Sequence, residues 1–169
     1  MTAFPDSPQN ACRMLLLLRD RGVLVLLLAG TALAATGCSD FRYETYVAEL
    51  DGALEGIATT ARGRAILLVS RDGSRAEISL AVSGFDSPIS AASVRQAPRG
   101  QTGSVVYALW GPAQGPFGNS DPILRVWERG GNPPFDDAAL QALRSGNLYV
   151  NVQSRARPSG EVRGQLLPE

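Results

Sequence analysis

The clearest pattern in the chain lies near its end. Leu148, Val150 and Val152 alternate with Tyr149, Asn151 and Gln153. A polar loop, Ser154 to Gly160, carries Pro158 and Gly160. Val162, Gly164 and Leu166 then alternate with Glu161, Arg163 and Gln165. Period-two alternation on both sides of a Pro/Gly loop predicts an antiparallel hairpin with one face in a core and one polar face. Symmetric closure about Arg157 sets Gln153 opposite Glu161, Asn151 opposite Arg163, and Tyr149 opposite Gln165.

Upstream the pattern predicts more short strands. Tyr43 to Leu50 is the first, followed by a small, polar stretch from Asp51 to Gly63. Arg64–Val69 and Arg75–Ser83 flank Arg71-Asp72-Gly73-Ser74, and Asp-Gly is a strong hairpin signal because Gly accepts positive φ at little cost. In Arg75–Ser83 the residues Ala76, Ile78, Leu80 and Val82 share one face. Ile89 to Ala97 follows, with Ala92 and Val94 inward and Ser93 and Arg95 outward. Ser104–Trp110 would send Val105, Val106 and Leu109 to the core, and Ile123–Glu128 comes after a long Gly/Pro-rich loop, Gly111 to Asp121.

One helix is predicted, over Asp137 to Ser145, with Asp136 as cap and Gly146 as stop; Leu140 and Leu143 share a face. Many short strands and one short helix near residues 137–145 predict an all-β sandwich or barrel.

The first residues are of a different kind. Arg13, Arg19 and Arg21 precede an apolar run, Val23 to Ala35, of about 13 residues, short of the roughly 20 that span a bilayer. Small residues and Cys38 follow, the layout of a secretory signal. Ala35-Thr36-Gly37-Cys38 resembles a bacterial lipobox, in which the Cys is acylated and becomes the new N-terminus. The other reading is an ordinary cleaved signal that leaves a free thiol. The expected organisation is a signal peptide over residues 1–37 (the true start being Met1 or Met14), a lipidated tether over 38–43 and one domain over 44–169. Ser39, not Asp, after the Cys favours an outer-membrane position with a periplasmic or surface-facing domain.

Composition narrows the chemistry. Net charge is zero, so nothing pulls the chain toward nucleic acid. All 16 basic residues are Arg, and His is absent, which removes the commonest general base and metal ligand. Once the leader with Cys12 is gone, Cys38 is the only cysteine left, and no disulfide can form within the domain. Asp136-Asp137 reads as a helix start rather than a catalytic carboxylate pair. These features predict no enzyme and no cofactor.

Two stretches carry a family resemblance. Gly146–Ser154 reads G-x-L-Y-V-N-V-x-S, and Pro158–Leu166 reads P-x-G-E-V-R-G-Q-L. Together they resemble the closing motif of the CHRD domain, common in bacterial secreted proteins. The resemblance runs from about Tyr46 to Leu167 and implies a Greek-key β-sandwich, immunoglobulin-like or superoxide-dismutase-like. Glu55 stands at the family's early E-V-P-P position, although Gly56-Ile57-Ala58 replaces the remainder.

The family's A-H-I-H-G-P falls on Ala92-Ser93-Val94-Arg95-Gln96, and its Y-V-N-V-H-T on Tyr149 to Ser154. Its three His are therefore Ser93, Arg95 and Gln153 here. Ser and Gln are poor ligands and Arg is always protonated, so the expectation is no metal site at these positions. A hard-cation site around Asn119 and Asp121 is weighed against an ordinary solvated loop.

What replaces the His is a polar row, Ser93, Arg95, Asn151, Gln153, Glu161 and Arg163. It is either a binding surface or a solvated cross-strand ladder. Trp110, Phe117, Trp127 and Phe135 border the Gly/Pro-rich loops and are either sugar- or protein-binding aromatics or caps of the core. The expected role is a non-catalytic binding or scaffolding module, membrane-anchored at Cys38, with an envelope protein or polysaccharide as partner. The alternatives are a metal- or redox-linked envelope protein and a carbohydrate-binding module.

Overall fold

A computed structural model of the protein describes residues 43–114 and 122–169. The leader, Cys38 and its tether, and Phe117, Asn119 and Asp121 lie outside the described residues.

Alternation dictates the architecture. Strands β1 (Glu44–Leu50), β2 (Arg62–Val69), β3 (Arg75–Ser83), β6 (Ile123–Glu128) and β9 (Leu167–Pro168) form one antiparallel sheet in the order β6-β3-β2-β1-β9. Strands β4 (Ile89–Gln96), β5 (Ser104–Trp110), β7 (Leu148–Ser154) and β8 (Val162–Gln165) form the other, in the order β5-β4-β7-β8. Between them lies a core fed by alternate residues, among them Ala65, Leu67, Ile78, Leu80, Val94, Leu148, Val150 and Val162. β6 returns beside β3 after the β4–β5 hairpin has crossed to the other sheet, and β7 returns beside β4. That return is the Greek key, so the all-β sandwich expected from the sequence is the observed fold.

The edges of the two sheets meet at β1 and β8. Asp51 and Arg163 exchange backbone hydrogen bonds, Arg163 N to Asp51 O at 3.0 Å and Asp51 N to Arg163 O at 3.3 Å. Gly164 makes this approach possible, since a Cβ there would sit 2.2 Å from the Glu49 carbonyl oxygen.

Helix α1 (Asp137–Arg144) forms as the sequence predicts. The Asp136 carboxylate accepts from Ala139 N at 2.9 Å, and Gly146 ends the helix at φ 66°. Its buried face, Leu140, Ala142 and Leu143, packs down, and Leu140 rests on Gly73 of the β2–β3 turn, where a Cβ would meet it at 2.7 Å. Arg144 pairs with Glu44 and fastens the helix to β1; the same guanidinium holds the Glu44 carboxyl below its ordinary range.

Three features depart from the expected pattern. β9 is only two residues long and contains Pro168, so no alternation announces it; its pairing with Tyr46 and Val47 of β1 creates it. Val105 is 50% exposed rather than in the core. The β4–β5 register slips at Ala92/Ser93 and again at Val94/Arg95, which turns Val105 outward while Leu109 stays buried. Trp127 and Phe135 bear out the core alternative over binding aromatics, and sit deeper than caps, fully interior.

Gly164→Ala is expected to cost roughly 1–3 kcal/mol, as overpacking does, because the new methyl meets backbone rather than a side chain that can move. Urea unfolding checks this, and a loss below about 0.5 kcal/mol, the ordinary size of a surface substitution, would mean the β1–β8 crossing is loose.

The β2–β3 turn yields a pH prediction. Ser70 Oγ and Ser74 N donate to Asp72 Oδ1 at 2.7 and 3.1 Å. These bonds, that from the Ser70 hydroxyl foremost, lower the carboxyl from 3.8 to about 2. The folded value lies below the ordinary one, so what the turn contributes is complete above about pH 4 and is lost as pH falls through about 2. An NMR titration of the Asp72 carboxyl carbon should place its midpoint near 2; a midpoint near 3.8 would contradict the turn geometry.

Candidate functional site

The face of β4, β7 and β8 turned away from the core collects the polar row. Register places Arg95 opposite Tyr149 and Ser93 opposite Asn151, with Ala91 opposite Gln153. Across the next pair, Tyr149 faces Gln165 and Asn151 faces Arg163, the pairing that symmetric closure of the hairpin predicts. Ser93, Arg95 and Gln153, the three positions that would be His, thus share one face on neighbouring strands.

The row is not a solvated face. Ser93, Tyr149, Asn151, Glu161, Arg163 and Gln165 are buried, Asn151 to 1% and Arg163 to 4% exposure, and only Arg95 and Gln153 are half-buried. Two connections cover it. The β1–β2 connection folds a 3-10 turn, Ala53–Glu55, over the hairpin, and the β4–β5 connection folds down beside it.

Both connections are pinned by the row itself. Glu55 Oε1 lies 3.4 Å from Arg163 Nη1 and accepts from Asn151 Nδ2 at 3.1 Å. Thr59 Oγ1 donates to Glu161 Oε1 at 2.8 Å. On the other side, Arg163 Nη1 donates to Gln101 O and Arg95 Nη1 to Gly103 O, both at 3.3 Å, and Gly103 N donates to the Tyr149 hydroxyl at 3.0 Å. Gln165 Nε2 donates to the carbonyls of Ala97 and Gly146 at 3.1 and 2.6 Å. The Arg163 guanidinium stands 5.0 Å above the Tyr149 ring, a cation–π contact strengthened by burial. Gly160 lets its turn close on the cluster, since a Cβ there would lie 2.4 Å from Asn151 Nδ2. Among the described residues, Asn151 Oδ1 and Ser154 Oγ are buried without a hydrogen-bond partner.

Chemically this is a matched set. Glu55 pairs with Arg163, while Glu161 accepts from Thr59 and Arg95 donates to Ser93 Oγ and Gly103 O. Guanidinium cannot accept a proton or bind a metal ion, and each carboxylate accepts from a neighbour. The cluster joins two loops to a sheet and holds no thiol or imidazole.

Sequence reasoning found six members of this cluster and missed Glu55, Thr59, Gln101 and Gly103, which come from connections that read as solvated loops. One signal pointed to Glu55. It is the acidic residue kept at the position where the resemblance expects one, and a buried Arg on the hairpin requires a carboxylate from elsewhere.

The aromatic hint is corrected. Trp127 and Phe135 are in the core, with ring centroids 5.0 Å apart, and Trp127 stacks on Tyr107 at 4.8 Å. The Trp127 indole N–H donates to Pro133 O at 3.0 Å, so its polar edge is satisfied internally and offers nothing to a sugar. Trp110 is half-buried against the core. Asp136 is a helix cap and Asp137 pairs with Arg129, so neither lies in a cleft. Among the described residues, no three His, Cys, Asp or Glu gather where they could hold a metal ion.

With this geometry in place, comparison with known proteins gives one positive result. The family model described as CHRD domain matches residues 46–166. No curated protein and no solved structure matches.

Arg163→Met is expected to cost about 3 kcal/mol, the lower end for breaking a buried pair because Glu55 keeps some solvent. Glu55→Gln added to it should restore part of that loss. A urea double-mutant cycle measures both, and strictly additive losses would show that the two side chains do not interact.

Proposed function

The chain belongs to the CHRD domain family, and from that premise we propose that it is a non-catalytic binding or scaffolding module held at the cell envelope by acyl chains on Cys38. The observation that carries the non-catalytic part is the closed polar cluster. Glu55 pairs with Arg163, Arg95 and Glu161 are held by neutral hydrogen-bond partners, and two loops cover the set, where a reaction centre needs an open approach and a group able to exchange a proton. The positions that would be His share a face, yet hold Ser93, Arg95 and Gln153, a set unsuited to a metal ion.

The anchor rests on the sequence. A basic, then apolar leader runs into Ala35-Thr36-Gly37-Cys38, and β1 starts six residues after the Cys. A single acyl chain holds a protein at a membrane only marginally, whereas a diacylated, N-acylated Cys supplies enough buried CH₂ groups for stable attachment. Ser39 after the Cys favours retention at the outer membrane. A domain that lacks disulfides and is closed by a buried ion pair and its hydrogen bonds suits a passive role, presenting a fixed surface at the end of a short tether.

Cys38→Ala is expected to move the protein from the membrane fraction to the soluble or precursor-processing pool, and to remove the acyl mass from its N-terminal peptide. Fractionation of the envelope with mass spectrometry of that peptide tests this. A variant that stays membrane-bound at the wild-type level would overturn the anchor.

A further inference from the structure

The outer face of the β6-β3-β2-β1-β9 sheet inverts the usual pattern. Its residues should be polar, since they point away from the core. Instead two cross-strand rows carry large apolar side chains. One row runs Leu167, Val47, Ile66, Ser79 and Leu124; the next runs Thr45, Leu68, Glu77 and Val126. Leu124 is 65% exposed, Leu167 44% and Val126 42%, and Tyr43 just before β1 is 43% exposed. Between β2 and β6 the face is hollowed into a groove of about 560 Å³ lined by Ile66, Leu68, Leu124 and Val126. A contiguous exposed apolar patch of this kind marks a contact surface.

Charges frame the band at both ends, and they are already paired. Arg64 lies 3.0 Å from Glu49 and 3.7 Å from Glu169; Arg75 lies 3.1 Å from Glu77 and 3.8 Å from Glu128. The frame therefore sets two Arg against four Glu, a net acidic rim that disfavours an anionic partner and leaves the apolar band as the attractive part of the face.

We propose that this face rests on the lipid bilayer that holds the Cys38 anchor, with its apolar band at the boundary between headgroups and acyl chains. The inference builds on the anchor proposed above. Five residues, Ser39 to Tyr43, separate Cys38 from Glu44 at the start of β1, a reach of at most about 22 Å when fully extended. That is less than the diameter of roughly 36 Å expected for a compact domain of this size. β1 belongs to the sheet with the apolar face, so the tether keeps this sheet beside the membrane at a high effective concentration. A zwitterionic lipid surface carries no net charge to repel the acidic rim, and an interfacial surface needs only apolar area to sit at that depth.

The test uses the mature, lipidated protein carrying Leu124→Cys, inserted in phosphatidylcholine vesicles. With Cys38 acylated, the new thiol is unique and takes an environment-sensitive fluorophore. Its emission is expected to shift to the blue and to be quenched by nitroxide-bearing lipids. The same label at Ser159→Cys, on the β7–β8 connection, should stay in water. An acylated protein whose Leu124→Cys label remains aqueous overturns this inference and leaves the anchor standing. Label shielding that grows with protein density, without quenching by the nitroxide-bearing lipids, assigns the face to a second copy instead and overturns it equally. A Cys38 without acyl groups overturns the anchor and this inference together.

Discussion

The buried guanidinium of Arg163 is the constraint on which the rest of the domain depends. Its strand, β8, is four residues long and lies at a sheet edge. Alone, such a strand would be marginal. Its backbone bonds to Asp51 across the gap between sheets, and its side chain reaches Glu55 in one connection, Gln101 in the other, and the Tyr149 ring beneath. Taking a guanidinium out of water costs several kcal/mol, and only near-complete pairing offsets it. The two connections cannot lift away separately without leaving that charge unpaired. Arg163 thus couples loops distant in sequence, 55, 101 and 163, into one cooperative closure.

This coupling also explains which parts of the structure could be read from the sequence. Strands with strict alternation, such as Arg75–Ser83, were legible to the residue, because period two reports a local property, the difference between two faces. The hairpin register was legible for the same reason. What covers the polar face is not local. Asp51–Ala61 and Ala97–Gly103 are rich in small and polar residues, as solvated loops are, and nothing in them announces burial. Only the need of Arg163 for a carboxylate, read together with the retained Glu55, could have suggested it. The slips that expose Val105 and the two-residue β9 were illegible for a related reason, since both are set by pairing with a neighbouring strand.

The two sheets consequently present opposite solutions to one problem. A sandwich has two inner faces, which share the core, and two outer faces, which meet solvent unless something covers them. In the β5-β4-β7-β8 sheet the outer face is polar and charged, the chemistry suited to water, yet protein covers it. In the β6-β3-β2-β1-β9 sheet the outer face is apolar, the chemistry suited to burial, and the described residues leave it open. The first arrangement consumes the groups that would otherwise recognise a polar ligand. The second leaves apolar area with no internal partner.

That asymmetry bears on where the domain makes contact. Burying a matched set of charges yields little net stability compared with apolar packing, so the covered polar face is better understood as fixing geometry than as strengthening the fold. It fixes the β1–β8 crossing, and with it the position of β1 relative to the rest of its sheet. β1 is also the first described strand, the one to which the tether proposed above connects. A tether exerts its constraint only through a rigid point of attachment; if β1 could shift, the face it belongs to would not hold a defined orientation. The internal ion pair on one sheet and the open apolar band on the other are thus linked through a single strand. The charged cluster holds β1 in place, and under the anchor proposed above β1 sets which face of the domain turns to the membrane.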